Sequence, residues 1–222
     1  MKKLWVVANW KSNLSLAESL DWVNKVGPQL NRRADLQIVI CPRFSVLPEL
    51  HQEIQSNNYP IVLGSQDLSP YGAGSFTGEE PAELLHELVT MSIIGHSERR
   101  QKFGETDEVV AEKFNQAKNA GIEPILCIQD ADTPIPEGNK IVAYEPVFAI
   151  GTGTPDTPEN ANKVAMEVKS SHPGISILYG GSVTSENCRA FIEQKNINGL
   201  LIGKASLNAQ EFLKIVVNCN GI

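Results

Sequence analysis

The sequence predicts an α/β fold, a (β/α)8 barrel in which the helix between strands five and six is missing or reduced to a loop. Three observations predict it. Short runs rich in Val and Ile recur at residues 4–8, 37–41, 61–64, 91–94, 125–128, 141–144, 175–179 and 200–202. Most are nearly continuously apolar, as strands buried on both faces of a parallel sheet are. Amphipathic helical stretches lie between most of them, and repeated strand–helix units imply a parallel sheet with right-handed crossovers. An open doubly wound sheet satisfies the same alternation, which does not decide closure. The chain of 222 residues is somewhat shorter than the roughly 250 usual for such barrels. One domain over residues 1–222 is expected.

Taken in order, residues 15–26 place Leu16, Leu20, Val23 and Val26 on one helical face. Residues 107–120 turn Val109, Val110, Phe114 and Ala117 inward, and 158–171, 186–194 and 209–217 have similar patterns. Thr157-Pro158-Glu159 sets a capping residue before a proline at the first helical position. Thr184-Ser185-Glu186 and Asn208 also open apolar-periodic stretches with capping side chains. The connector between the fifth and sixth strands, residues 129–139, carries Pro134, Pro136 and Gly138. Proline at those spacings is hostile to a helix. Extended, the segment reaches roughly 36 Å, against about 17 Å for a five-residue strand, so it can return without one. The expected architecture has seven major outer helices and a gap beside strands five and six.

Composition narrows the function classes. A formal net charge of -7 argues against nucleic-acid binding, which needs a basic face. The N-terminal apolar run is short and broken by Asn9 and Lys11, and no segment is long and apolar enough to span a bilayer. A cytoplasmic protein without membrane contact is expected. Cys41, Cys127, Cys188 and Cys219 are far apart in sequence, with no CxxC pair. Buried reduced thiols are expected, and no metal site.

Active sites of such barrels form at the C-terminal ends of the strands. The first strand runs into Asn9-Trp10-Lys11, where Lys11 is either the first exposed residue or a fixed cation facing an anion. The fourth ends in Gly95-His96-Ser97-Glu98-Arg99-Arg100, and histidine is a versatile proton shuttle and electrophile. Glu98 is placed to orient Lys11, and Arg100 reads as a paired surface charge. The sixth ends in Tyr144-Glu145-Pro146, a carboxylate able to accept a proton. The apolar, then glycine-rich loop behind it suits a hinged lid. The last two strands end in Gly180-Gly181-Ser182 and Gly203-Lys204, where glycines let backbone N–H groups approach a phosphate.

Three motifs make the pattern specific: Asn9-Trp10-Lys11-Ser12-Asn13, residues 94–100 around His96, and residues 143–153 around Glu145. With residues 179–183 and 202–207 in the same order, the chain resembles the triosephosphate isomerase family over essentially its whole length. The resemblance implies a TIM barrel that interconverts dihydroxyacetone phosphate and D-glyceraldehyde 3-phosphate through an enediolate, without a cofactor. It implies Glu145 as the base, His96 as the neutral electrophile and Lys11 as the stabilising cation, with Asn9 helping and Ser97 and Glu98 supporting. A glutamate base, a neutral histidine and a closing loop are the roles known for this family. Phosphate would meet the backbone N–H groups of Gly151, Ser182, Gly203 and Lys204. Pro146, Val147, Phe148, Ala149, Ile150, Gly151, Thr152, Gly153 and Thr154 would form the lid. The stretch from Asp67 to Gly78 is similar to the family's dimer-interface loop and implies a homodimer.

The chain departs from the family at Phe148, where Trp is usual, at Lys204, where Gly is usual, at Ser12, and at Gln129-Asp130. The competing readings are an isomerase of another small sugar phosphate and a non-catalytic binding barrel.

Overall fold

The computed structural model describes residues 3–146 and 155–219. Among them, eight strands form one closed parallel barrel in chain order. They are β1 (Leu4–Asn9), β2 (Leu36–Cys41), β3 (Val62–Ser65), β4 (Met91–Ile94), β5 (Glu123–Ile128), β6 (Ile141–Tyr144), β7 (Ser176–Tyr179) and β8 (Gly199–Ile202). β1 closes the ring, with Ala8 opposite Ile202 on one side and Asn9 opposite Cys41 on the other. The open doubly wound alternative is thereby excluded. Alternate residues of each strand point to opposite faces. Val7, Val39, Ile93, Ile125 and Leu178 pack together in one cluster inside the barrel. Val6, Ile38, Ile94, Leu126 and Ile177 belong to a second, larger cluster beneath the helices. Full burial of each such side chain stabilises by about 1.5–3 kcal/mol. Both strand faces are therefore apolar, which is why the strands read as continuous runs.

The helices are α1 (Leu16–Val26), α2 (Leu47–Ser56), α3 (Ala82–Leu85), α4 (Ser97–Phe103), α5 (Asp107–Asn119), α6 (Pro158–Ser171), α7 (Cys188–Ile192) and α8 (Ala209–Cys219). At least one follows every strand except β5. Ser15 caps α1 in a reciprocal capping box with Glu18, closing two otherwise open N–H groups. Thr157 caps α6 by accepting from the Asn160 N–H at 3.2 Å. Asn208 accepts from the Glu211 N–H at 3.0 Å at the start of α8.

Two expectations need correction. α1 buries Ser19, Trp22, Val23 and Val26, while Leu16 is 38% exposed. The buried stripe is rotated because Trp22 packs edge-on against Trp10 and tilted against Phe212. α7 spans only Cys188–Ile192, not the longer 186–194. The Asn187 side chain accepts from the Thr184 N–H at 2.9 Å, which holds residues 184–187 in a turn before the helix.

The connector between β5 and β6 contains no helix. Asp130 organises it: its Oδ1 accepts from the N–H groups of Asp132 and Thr133 and from the Thr133 hydroxyl. Such a local side-chain turn competes directly with helix. Ala131 and Ile135 pack on the large core cluster, so the gap is covered by the connector's own apolar residues.

Residues that follow β3 and β4 form a buried ionic cluster with α5. Lys113 of α5 is 2% exposed. Its Nζ lies 2.6 Å from Asp67 Oδ1 and 2.6 Å from Glu105 Oε2. Arg99 Nε approaches the same two carboxylates at 2.8 and 2.7 Å. Arg100, expected as a paired charge, meets Asp107 at 2.6 Å. All four cysteines are buried free thiols. Among the described residues, no helix is long and apolar enough to cross a membrane.

Candidate active site

A cavity of about 860 Å³ opens at the C-terminal ends of the strands. Asn9, Lys11, His96, Glu145, Ser182, Gly203 and Lys204 all line it. Asn9 is the last residue of β1, and its Oδ1 accepts from the Lys11 N–H at 3.1 Å. Lys11 sits at φ 53, a left-handed conformation costing a side-chain-bearing residue roughly 1–2 kcal/mol. The Gln66 amide holds it there, donating to Lys11 O at 2.8 Å and Cys41 O at 2.9 Å. Strain kept by surrounding hydrogen bonds is a recurrent mark of functional sites. The Lys11 ammonium pairs with Glu98 Oε1 at 2.9 Å. Burial pushes the Glu98 carboxyl up, but Lys11 outweighs it and holds the group below its ordinary range.

After β4 the chain turns at Gly95, φ 67, where an added Cβ would lie 3.1 Å from Arg100 and Val110 atoms. The turn delivers His96 to the N-cap of α4. Its Nδ1 lies 3.1 Å from the Glu98 N–H and accepts from it. An accepting nitrogen carries no proton, which leaves the ring N–H on Nε2. That Nε2 faces Glu145 Oε1 at 2.9 Å. Glu145 Oε2 accepts from the buried Ser97 N–H at 2.9 Å. Burial raises the Glu145 carboxyl, and the electrostatic attraction of His96, followed by the hydrogen bonds from His96 and Ser97, more than offsets this, placing it below the usual glutamate value. The Glu145 carboxylate thus rests against the His96 ring, 2% exposed.

Gly180 makes room for this rest position. An added Cβ would lie 2.9 Å from Glu145 Cγ and 3.1 Å from Tyr144 O. Gly180→Ala is expected to displace Glu145 and lower kcat about tenfold, with a stability loss of about 1–3 kcal/mol from overpacking. Steady-state kinetics and thermal melts check this; wild-type kcat in the variant would contradict it.

The loops after β7 and β8 also line the cavity. An added Cβ on Gly203 would lie 3.6 Å from Lys11 Cε, so the loop after β8 faces the cation. That loop is pinned from behind. The Ser206 N–H and hydroxyl both donate to Gly203 O, and the Trp22 indole N–H donates to Ser206 O at 3.0 Å. Pro146 is buried. The rest of the expected lid, Val147, Phe148, Ala149, Ile150, Gly151, Thr152, Gly153 and Thr154, lies outside the described residues. Just after it, Asp156 is held by Tyr144, Tyr179 and Asn160. Burial and Asp156 push the Tyr144 hydroxyl's pKa up. Among the described residues, no group of His, Cys, Asp and Glu is placed to hold a metal.

The described residues expected to act on or bind substrate (Asn9, Lys11, His96, Glu145, Ser182, Gly203 and Lys204) line this cavity, with Ser97 and Glu98 one contact behind it. Sequence reading missed Gln66 as the Lys11 clamp. Its one signal was position, directly after β3. It also missed Asp156, whose partners come from β6, β7 and α6.

Comparison with known proteins agrees with this geometry. The family description "Triosephosphate isomerase" matches residues 4–219. The chain is 35% identical to the triosephosphate isomerase of Endomicrobium trichonymphae, across 97% of this chain and 98% of that protein. It is 34% identical to that of Thermoanaerobacter sp. (strain X514), across 97% and 99%. It is 36% identical to that of Aquifex aeolicus (strain VF5), across 97% and 99%. With a closed eightfold barrel and a match along almost its full length, this chain belongs to the triosephosphate isomerase family.

Proposed function

We propose that the chain catalyses its family's reaction, interconversion of dihydroxyacetone phosphate and D-glyceraldehyde 3-phosphate by proton transfer between adjacent carbons. The observation that carries this is the convergence of Lys11, His96 and Glu145 on one cavity. The substrate carbonyl oxygen takes the His96 Nε2–H and displaces Glu145 Oε1 toward the carbon-bound proton. Glu145 removes that proton to give the enediolate and returns it to the neighbouring carbon, while the hydroxyl proton of the first carbon passes to the former carbonyl oxygen by way of His96 Nε2. Negative charge accumulates on the enediolate oxygens, facing the Lys11 ammonium and the His96 N–H. These groups stabilise it more than they stabilise the neutral carbonyl. Asn9 Oδ1 is occupied by Lys11, so its amide Nδ2 is the group that donates inward. The phosphate, remote from the reacting carbons, meets the N–H groups of Gly151, Ser182, Gly203 and Lys204. Closure of the loop from Pro146 to Thr154 excludes water and keeps the intermediate from losing phosphate. No cofactor takes part.

The whole chain acts as one barrel domain in the cytoplasm, as a homodimer through the loop from Asp67 to Gly78. Tyr71 and Phe76 support the dimer: 49% and 43% exposed, they stack at 4.4 Å on that loop. Sedimentation showing only monomer at micromolar concentration would remove it. The activity is tested with purified protein in a coupled isomerase assay, comparing dihydroxyacetone phosphate with longer ketose phosphates. Preference for the triose is expected; preference for a longer sugar would overturn the assignment.

A further inference from the structure

Two lysines line the cavity, and they are not equivalent. Lys11 is committed to Glu98 at 2.9 Å. Lys204 is exposed and, among the described residues, its side chain has no ion pair or hydrogen bond. It stands beside Gly203 on the same wall as Ser182, Thr184 and Asn187. Of the two carboxylates in the lining, Glu211 accepts from the Ser185 N–H at 2.7 Å and Glu145 faces His96 at 2.9 Å. This end of the cavity therefore offers polar groups and one uncommitted ammonium.

We infer that the Lys204 side chain, and not only its backbone N–H, binds the substrate's phosphoryl group and sets selectivity for phosphorylated over unphosphorylated trioses. The inference rests on the proposed isomerase reading for the identity of the substrate, but not for the anion site itself. A long, solvated side chain can swing its charge onto a dianion at the cavity mouth. That attraction is weakened by water but not abolished within a Debye length of about 8 Å. The phosphoryl group is equally charged in the ground and transition states. Its ammonium partner contributes uniform binding, which appears in KM and not in kcat.

The test uses Lys204→Met, which keeps the apolar stem, and Lys204→Arg, which restores the charge. In Lys204→Met, KM for dihydroxyacetone phosphate is expected to rise about fivefold with kcat within about twofold. kcat/KM for unphosphorylated glyceraldehyde falls by a clearly smaller factor than that for the phosphate ester, and Lys204→Arg recovers most of the affinity. Calorimetric titration with inorganic phosphate at low and high salt reads the site without catalysis. Phosphate binding weakens in Lys204→Met, chiefly at low salt. Unchanged KM and phosphate affinity would overturn the inference. So would an equal loss with glyceraldehyde, which marks a merely structural role. Wild-type protein that is inactive on the triose, yet binds phosphate in a Lys204-dependent way, would sink the isomerase reading and support the anion site.

Discussion

Glu145→Gln is expected to lower kcat by about 10³-fold, within the range of positioned general bases, while the barrel remains folded. The amide matches the carboxylate in size, and one of its atoms, Oε1, can still accept from the Ser97 N–H that now binds Glu145 at 2.9 Å. What it cannot do is take a proton from carbon. Circular dichroism and thermal melts separate this from unfolding. A kcat within tenfold of wild type would remove Glu145 as the base. The pH profile gives a second reading. The carboxyl lies below its ordinary value because the attraction of His96 and the hydrogen bonds from His96 and Ser97 outweigh burial. The base is present above that lowered value and is lost only as pH falls through it. The acid limb of kcat/KM for the free enzyme should therefore fall below the usual glutamate range. An acid limb above that range would contradict the donors' role.

Lys113→Met should produce the largest loss of stability, about 3–5 kcal/mol, the usual cost of removing one partner from a buried ionic cluster. At roughly 2–4 °C per kcal/mol for a chain this long, the melting temperature should fall by about 10 °C. The variant leaves Asp67 and Glu105 facing each other with only Arg99 between them. The two carboxyls have opposite signs in the native protein. Burial dominates at Asp67 and raises it, despite Lys113 and Arg99. At Glu105 the same cations outweigh burial and lower it. Glu105 therefore contributes stability above its unfolded value, lost as pH falls through its lower folded value; Asp67 costs stability once pH exceeds its unfolded value. Removing Lys113 pushes both toward protonation. The gap between variant and wild type should narrow as pH falls toward the carboxylate range. A gap independent of pH would reduce Lys113 to a packing role.

Much of the architecture was legible in the sequence because it is local. The strand runs at 91–94 and 141–144 and the helix at 158–171 coincide with β4, β6 and α6. Hydrophobic runs, the Thr157 cap and Pro158 act within a few residues of themselves. The connector's prolines likewise forbid a helix without reference to anything distant. The family motifs brought Lys11, His96 and Glu145 into view by residue type and order. Local signals failed where a neighbour in space decided. α1 turned a different stripe inward to stack Trp22, and Asn187 shortened α7.

The sequence by itself determined the strand and helix order, the absent helix and which polar residues stand at the strand ends, because these depend on short-range propensity and residue type. Only the tertiary structure decided that β1 pairs with β8 and that Gln66 pins the backbone of Lys11. It alone placed a lysine three residues after Val110, on the same helical face, between two carboxylates. Those outcomes depend on hydrogen bonds and desolvation between segments far apart in the chain, and no periodicity along one segment encodes them.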